Sequence, residues 1–258
     1  GSGLGCPTWP ECTPGSYTPV PHQAEGQLHA WIEFGNRLLT FALVAVALAV
    51  LINVLYRGRR DLRSLALGQV LGIFGQGILG GITVLTDLHP LPVAGHLLLS
   101  IILIAGAASL YSRREYSARP RTDLDKLTKR VSVLHIGLTF VVIILGTIVT
   151  GSGPHAGDEK AQRFGFDIRT VSWLHADAVI ALLGLTAAFY ILVRNDPKLL
   201  RRVQVFLVVA LAQGAIGYIQ YFTGIPEILV AAHLLGATLV WITAWRIRIT
   251  VTRSLIVD

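Results

Sequence analysis

Two stretches of this chain follow one pattern. GQGILG (residues 75–80) leads to HLL (residues 96–98), and AQGAIG (residues 212–217) leads to HLL (residues 233–235). In each stretch the glutamine precedes the histidine by 20 residues, and a turn with a proline lies between two apolar segments. The glutamines are expected to hydrogen-bond across helices, near glycines that permit close packing. This internal repeat predicts two equivalent helical hairpins.

The composition indicates a membrane protein. The 258 residues are 53% hydrophobic and only 14% charged, and the mean hydropathy is +0.61. Soluble domains carry roughly a quarter charged residues. The apolar residues form long continuous runs, which is typical of helices surrounded by lipid. The net charge of +7 is explained by membrane topology, and no nucleic-acid partner is expected.

Seven apolar runs of about 20 residues are long enough to cross a bilayer. They are residues 38–56, 65–86, 92–111, 131–150, 171–193, 203–222 and 227–245. Eighteen of the 22 Lys and Arg residues lie in alternate segments, namely loops 57–63, 112–130 and 194–202 and the C-terminal tail. By the positive-inside rule these segments are cytoplasmic. Segment 1–30, turns 87–91 and 223–226 and loop 151–170 are then outside a multi-pass protein of the cell membrane.

A second short repeat predicts the overall organisation. GSG at residues 151–153 follows a span, whereas GSG at residues 1–3 follows none. We expect an all-α polytopic membrane protein of two pseudo-symmetric four-helix bundles, with eight native spans, seven of them visible and the first helix absent. The halves are expected at residues 1–111 and 131–258, joined by a cytoplasmic linker at 112–130.

Three histidines are the main candidates for binding chemistry. His96, His175 and His233 each lie within the first two turns of a span, counted from the outer side. Ionisable groups inside a membrane are costly and often functional. Imidazoles on separate helices suit axial ligation of haem iron, with the other ring nitrogen held by an acceptor. Interfacial or helix-capping histidines are the alternative. Asp177 either orients His175 or bonds to backbone.

A polar cluster begins the first span. His29, Glu33, Asn36 and Arg37 share one helix face. One interpretation is an i, i+4 ion pair between Glu33 and Arg37 with side chains reaching the interface. The other places Glu33 beside a reacting group and Arg37 against a propionate.

The two cysteines lie in the N-terminal outer segment. Cys6 and Cys12 flank the sequence PTWPE and are the only cysteines. On the oxidising side of the membrane, five intervening residues allow a disulfide. The pair is either a structural link or redox-active. Its spacing does not match a zinc site.

Several of these motifs together resemble the haem A synthases, of an actinobacterial type, over essentially the whole chain. They are CPTWPEC (residues 6–12), EFGNR (residues 33–37), TGSGPH (residues 150–155) and the single histidines near the starts of later spans. The resemblance implies an eight-helix membrane enzyme of two four-helix halves. Such an enzyme oxidises a methyl group of haem O to a formyl group and makes haem A for cytochrome oxidase.

The resemblance also implies roles for particular residues. His175 and His233 would be the axial ligands of a haem b cofactor in the C-terminal half. His96 would be a ligand of the substrate haem O in the N-terminal half, and Glu33 would be the catalytic carboxylate. Cys6 and Cys12 would form the outer disulfide.

This chain departs from the family pattern at Asn36, where many members have a histidine. An amide is a poor iron ligand, so the substrate site has either His96 alone or His29 as well. His29 lies seven residues earlier, about 10.5 Å along an ideal helix. We expect His29, Asn36 and Arg37 to contact the substrate.

The expected partners are the haem O substrate, haem O synthase, and a quinol or other electron donor. Two other functions share these features. A di-haem cytochrome exchanging electrons with quinol would use the same histidines, and a haem carrier or transporter would use parallel repeats without catalysis.

Overall fold

The computed structural model describes residues 4–21, 27–114, 119–120, 124–154 and 161–254. Its long helices are α1 (Gln27–Tyr56), α2 (Arg63–Leu85), α3 (Pro90–Ser112), α4 (Lys126–Ser152), α5 (Ile168–Leu192), α6 (Pro197–Phe222) and α7 (Glu227–Thr252). A short 3₁₀ turn, Arg60–Leu62, precedes α2. The two-residue strands β1 (Arg119–Pro120) and β2 (Arg253–Ser254) pair antiparallel. The first copy of the GSG repeat, at residues 1–3, lies outside the described residues, as does His155.

All seven helices are long and apolar enough to cross a membrane. This confirms the predicted seven spans and the all-α polytopic fold. The helices extend beyond the apolar runs: α1 begins at Gln27 instead of residue 38, and α7 continues to Thr252 instead of residue 245. Backbone groups at membrane depth need hydrogen bonds within their own segment, so a helix continues past its apolar run.

The helices and loops form two compact units. The first contains Gly1–Gly106 and Thr150–Asp167, and the second contains Ala107–Val149 and Ile168–Asp258. Within the first unit, the Phe164 N–H donates to the Gly151 carbonyl at 3.0 Å, and the Phe164 ring lies against Gly151.

The core of the second unit is built from α5, α6 and α7, with α4 against it. Its largest buried apolar side chains include Phe189, Leu199, Phe206 and Ile247. Large apolar side chains elsewhere point outward; Phe41 and Val208, for example, are 72% and 68% exposed. Lipid solvates such faces, so small residues and polar contacts decide which helices pack together.

His135 on α4 is fully buried in the second unit. Its Nε2 lies 3.1 Å from Thr186 Oγ1, and that hydroxyl donates to the Leu182 carbonyl at 2.7 Å. The hydroxyl therefore accepts from Nε2–H. The imidazole also packs edge-on against Phe206, with ring centroids 4.4 Å apart. The structure thus gives His135 a role in packing.

Replacing Thr186→Val is expected to lower the free energy of unfolding by about 1–3 kcal/mol, because it leaves the buried His135 Nε2 without an acceptor. The matched control is Thr238→Val, whose exposed hydroxyl bonds to Leu234 on its own helix. Denaturant unfolding of the purified protein in detergent measures both. Equal midpoints for the two variants would show that the His135 contact does not stabilise the fold.

Candidate functional site

In the first unit, Gln76 on α2 links to the histidine of α3. Its Nε2 donates to the His96 carbonyl at 3.0 Å and to Ser100 Oγ. One turn further along α2, Gly80 lies under the imidazole: a Cβ at Gly80 would be 3.4 Å from His96 Cε1 and 3.8 Å from Nδ1. The imidazole of His96 therefore lies against α2 at Gly80.

The second unit repeats this arrangement between α6 and α7. Gln213 Nε2 donates to the His233 carbonyl at 2.8 Å. Four residues later, a Cβ at Gly217 would be 2.9 Å from His233 Cε1 and 3.5 Å from Nδ1. The expected cross-helix bonds of both glutamines are thus confirmed, and the sequence repeat corresponds to one repeated contact.

Helix geometry explains why each histidine contacts the neighbouring helix at two positions that are one turn apart. The short turn between the helices makes them antiparallel, and side chains on a helix tilt toward its N-terminus. The carbonyl of His96 therefore meets Gln76, while its ring reaches one turn outward, about 6 Å away, to Gly80. The fixed spacing of 20 residues sets this register.

His175 on α5 makes the same kind of contact with α4. A Cβ at Gly146 would be 3.3 Å from His175 Cε1 and 3.8 Å from Nδ1. The backbone of Val142, one turn earlier on α4, lies near the ring without forming a hydrogen bond of usual geometry to Nδ1. His175 and His233 are also close enough to interact electrostatically within the second unit.

The ring nitrogens of these three histidines have different surroundings. Nδ1 of His96, His175 and His233 is buried and has no hydrogen-bond partner. Nε2 lies farther from the glycine than Nδ1 does: it is more than 4 Å from the Cβ position at Gly80 and at Gly146, and 3.9 Å from that at Gly217. Haem-ligating histidines commonly donate the N–H of one ring nitrogen to an acceptor and bind the metal through the other. The expected acceptor of Nδ1 is not observed for these three rings, but each has one nitrogen on the side of the supporting helix and the second farther from it. The arrangement fits axial ligation of haem iron.

The described residues do not favour a metal ion held by protein ligands alone. Among them, no three His, Cys, Asp or Glu side chains form a group that would hold one. Haem needs only one or two axial ligands from the protein, because the porphyrin supplies the other four. The donor set therefore fits a haem better than a bare ion.

Glu33 and Arg37 fix the N-terminal loop onto α1. Cys6 and Cys12 form a disulfide in this loop. The Cys6 N–H donates to Glu33 Oε2 at 2.9 Å, and Arg37 forms the expected i, i+4 ion pair with Glu33 at 3.4 Å. Arg37 also donates to four loop carbonyls at 2.9–3.1 Å, those of Cys6, Thr8, Pro10 and Glu11. The ion-pair interpretation is confirmed, and contact with a propionate stays a prediction.

The same loop reaches the helix that carries the His96 contact. Gly5 lies directly on the backbone of Ala30 in α1, where a Cβ would meet the Ala30 nitrogen at 2.6 Å. Trp9 lies on α2, because a Cβ at Gly81 would be 2.7 Å from its ring. Gly81 follows Gly80 in the chain. The loop therefore connects Glu33 to the end of α2 on which His96 packs.

The other predicted site residues are less enclosed. Asn36 is exposed, and His29 is half-buried, with its backbone under Gly5. Asp177 is exposed and gives no hydrogen bond to the His175 Nδ1, since residues two apart on a helix face different directions. Orientation of His175 by Asp177 is therefore not observed.

Sequence reasoning missed Gly146, the contact of His175. A signal was present: the tripeptide ILG occurs at residues 78–80 and again at residues 144–146. In both places the glycine supports an imidazole from the next helix. The glutamine of the repeat is replaced by Val142, so the longer motif is not recognisable there.

The fold and these contacts define a polytopic helical membrane protein with buried histidines set against helix glycines. Residues 1–245 match the model of the COX15-CtaA family, described as cytochrome oxidase assembly protein. The chain belongs to this family, which confirms the resemblance found in the sequence.

A relative with the name heme A synthase, from Bradyrhizobium sp. (strain BTAi1 / ATCC BAA-1182), is 29% identical over 129 residues. The match covers 47% of this chain and 35% of the relative, so it spans about a third of that protein's length. No solved structure matches the chain.

Replacing Gly217→Ala is expected to lower the free energy of unfolding by about 1–3 kcal/mol, since the added methyl overlaps the His233 ring. The matched control is Gly214→Ala on the same helix, where a Cβ meets nothing within 4 Å. The control should be neutral or more stable by up to about 1 kcal/mol, because alanine favours a helix. Denaturant unfolding measures both, and an unaffected Gly217→Ala variant would contradict the close contact.

Proposed function

We propose that this chain is an oxidoreductase that converts a methyl group of haem O to the formyl group of haem A, for the assembly of cytochrome oxidase. Membership of the family and the name of the Bradyrhizobium relative support this proposal. The observation that carries it is the repeated contact of an imidazole, with its Nδ1 buried, against a glycine of the neighbouring helix.

In this proposal the second unit holds the cofactor, haem b. His175 and His233 would hold it through Nε2, which in both rings lies farther from the supporting glycine than Nδ1 does. Haem b bound there supplies one-electron redox chemistry. The protein's part is to hold both imidazoles in fixed orientations, and Gln213 does so for His233 by bonding to its backbone.

The first unit receives the substrate, haem O, with His96 as a ligand of its iron. Conversion of a methyl to a formyl group replaces two hydrogens by one oxygen atom, R–CH3 + H2O → R–CHO + 4 H+ + 4 e−, so a co-substrate that accepts four electrons must take part. Two successive oxidations of the same carbon yield a geminal diol, which loses water to give the aldehyde. His29, Asn36 and Arg37 are the further substrate contacts proposed in this unit.

Glu33 is the proposed proton acceptor for these oxidations. Its Oε2 accepts from the Cys6 N–H and its Oε1 from Arg37, so the carboxylate is held in one orientation. A fixed carboxylate beside the reacting carbon accepts protons or stabilises developing positive charge. Arg37 and the disulfide loop position it.

The proposed topology places both haem sites near the outer surface of the cell membrane. The loops rich in Lys and Arg are cytoplasmic by the positive-inside rule. The disulfide is then on the oxidising side, where such bonds persist. An electron donor such as a quinol would reach the sites from the bilayer.

The variants His175→Ala and His233→Ala are each expected to lose most of the haem b absorbance in a reduced-minus-oxidised spectrum of the purified protein. The control is His89→Ala, whose ring nitrogen accepts from the Leu91 N–H in an exposed turn. Haem extracted from cells with the unchanged chain should include a formyl porphyrin. Bound haem without a formyl product would indicate a di-haem electron-transfer cytochrome, and no bound haem would indicate a carrier.

The variant Glu33→Gln is expected to keep haem b but to lower haem A production at least tenfold, since an amide does not accept the proton. The control is Glu11→Gln in the same loop, whose carboxylate accepts from the Gly15 N–H. Extraction of haem measures the product, and the optical spectrum measures the cofactor. Normal haem A formation by Glu33→Gln would remove this residue from the proposed mechanism.

A further inference from the structure

A cavity of about 600 Å³ opens between the N-terminal part of α4 and the C-terminal part of α7 in the second unit. Three cations line it, Lys129, Arg130 and Arg248. Its apolar lining includes Val133 and Leu134, one turn further along α4. The cavity has no part in the haem chemistry proposed above.

The cations of this cavity are not neutralised by the carboxylates that the structure describes. Arg248 is half-buried and donates from Nη1 to Ser132 Oγ at 3.1 Å, which fixes it against α4. Within the described residues, no salt bridge is formed by Lys129, by Arg130 or by Arg248. The guanidinium of Arg248 therefore keeps donors available for an anion.

Asp125 is a described carboxylate whose charge interacts with Lys129. It caps the start of α4, where its Oδ1 accepts from the Thr128 N–H at 2.7 Å. The hydrogen bonds from Thr128 hold the pKa of Asp125 below its ordinary value. The carboxylate is thus committed to the helix terminus, and a positive charge excess remains in the cavity.

The part of the cavity wall that lies one turn along α4 from the cations is apolar and open. Val133 and Leu134 are 50% and 62% exposed, on a helix that crosses the membrane. Such side chains contact lipid. A ligand in this place therefore meets cations at one end and hydrocarbon at the other, which matches a phospholipid and not a soluble phosphate. Basic pockets between transmembrane helices are known to bind anionic lipid head groups.

We propose that this cavity is a binding site for an anionic phospholipid. The lipid phosphate lies between Arg130 and Arg248, with Lys129 contributing charge, and an acyl chain lies along Val133 and Leu134. Arginine is well suited to this role because its planar group binds phosphate oxygens in pairs. The bound lipid links the ends of α4 and α7.

The test is native mass spectrometry of the purified full chain in detergent, titrated with phosphatidylglycerol or with phosphatidylcholine of the same acyl chains. The unchanged chain should retain phosphatidylglycerol in preference to phosphatidylcholine. Arg130→Gln and Arg248→Gln should each weaken that binding about fivefold, as expected for one basic residue at a lipid surface. Equal retention of the two lipids would overturn the proposal.

The matched control is Arg246→Gln. Residues 246 and 248 are two apart on α7, so they lie about 200° apart around the helix. Arg246 does not line the cavity. Its replacement should change phosphatidylglycerol binding less than twofold. An effect equal to that of Arg248→Gln would mean general attraction to basic surface charge and would overturn the site.

A second variant and a competition experiment complete the test of lipid binding. Arg130 is exposed, so Arg130→Gln tests the site even if loss of the Arg248 bond to Ser132 impairs folding. Inorganic phosphate and glycerol phosphate are added as competitors at the lipid's concentration. Displacement of phosphatidylglycerol by these soluble anions would show a phosphate site without a lipid component and would contradict the proposal.

Discussion

The contact of an imidazole with a glycine on the next helix is the constraint on which the arrangement of both units depends. Hydrocarbon offers no hydrogen-bond partner and no hydrophobic force between helices, so close packing and polar contacts must hold helices together. Gln76 and Gln213 fix the axial register, and Gly80 and Gly217 set the distance at which the ring meets the neighbouring backbone. A methyl at Gly217 would overlap the His233 ring and separate the helices or turn the ring, whereas a methyl at Gly80 would just contact the His96 ring.

The disulfide loop shows how a short irregular segment is held on a transmembrane helix. Such a segment presents many backbone carbonyls, and four of them accept from the single guanidinium of Arg37. The positive charge of Arg37 is balanced by Glu33 one turn earlier, which also satisfies a loop N–H. The ion pair therefore supports both the loop and the orientation of the carboxylate. The Glu33–Arg37 pair therefore has a structural role in addition to its proposed chemical role.

Periodic features of this fold were predictable from the sequence, whereas contacts without a period were not. Apolar runs predicted the seven spans, and the glutamines inside two of these spans predicted hydrogen bonds across helices. The bonds of Arg37 to loop carbonyls depend on the path of the backbone, which side-chain patterns do not encode. The helix ends also exceeded the apolar runs, because backbone hydrogen bonding continues where side-chain hydrophobicity stops.

Burial alone does not distinguish a packing histidine from a candidate ligand in this protein. His135 is the more completely buried, yet its Nε2 is bonded to Thr186 and its ring is enclosed by aromatic side chains. His96, His175 and His233 are only half-buried, and in each ring Nε2 is the nitrogen farther from the supporting glycine. A ligand needs that nitrogen directed toward open space, so orientation is the deciding property. A glycine opposite Cε1 lets this edge of the ring approach the backbone, with Nδ1 the nearer of the two nitrogens.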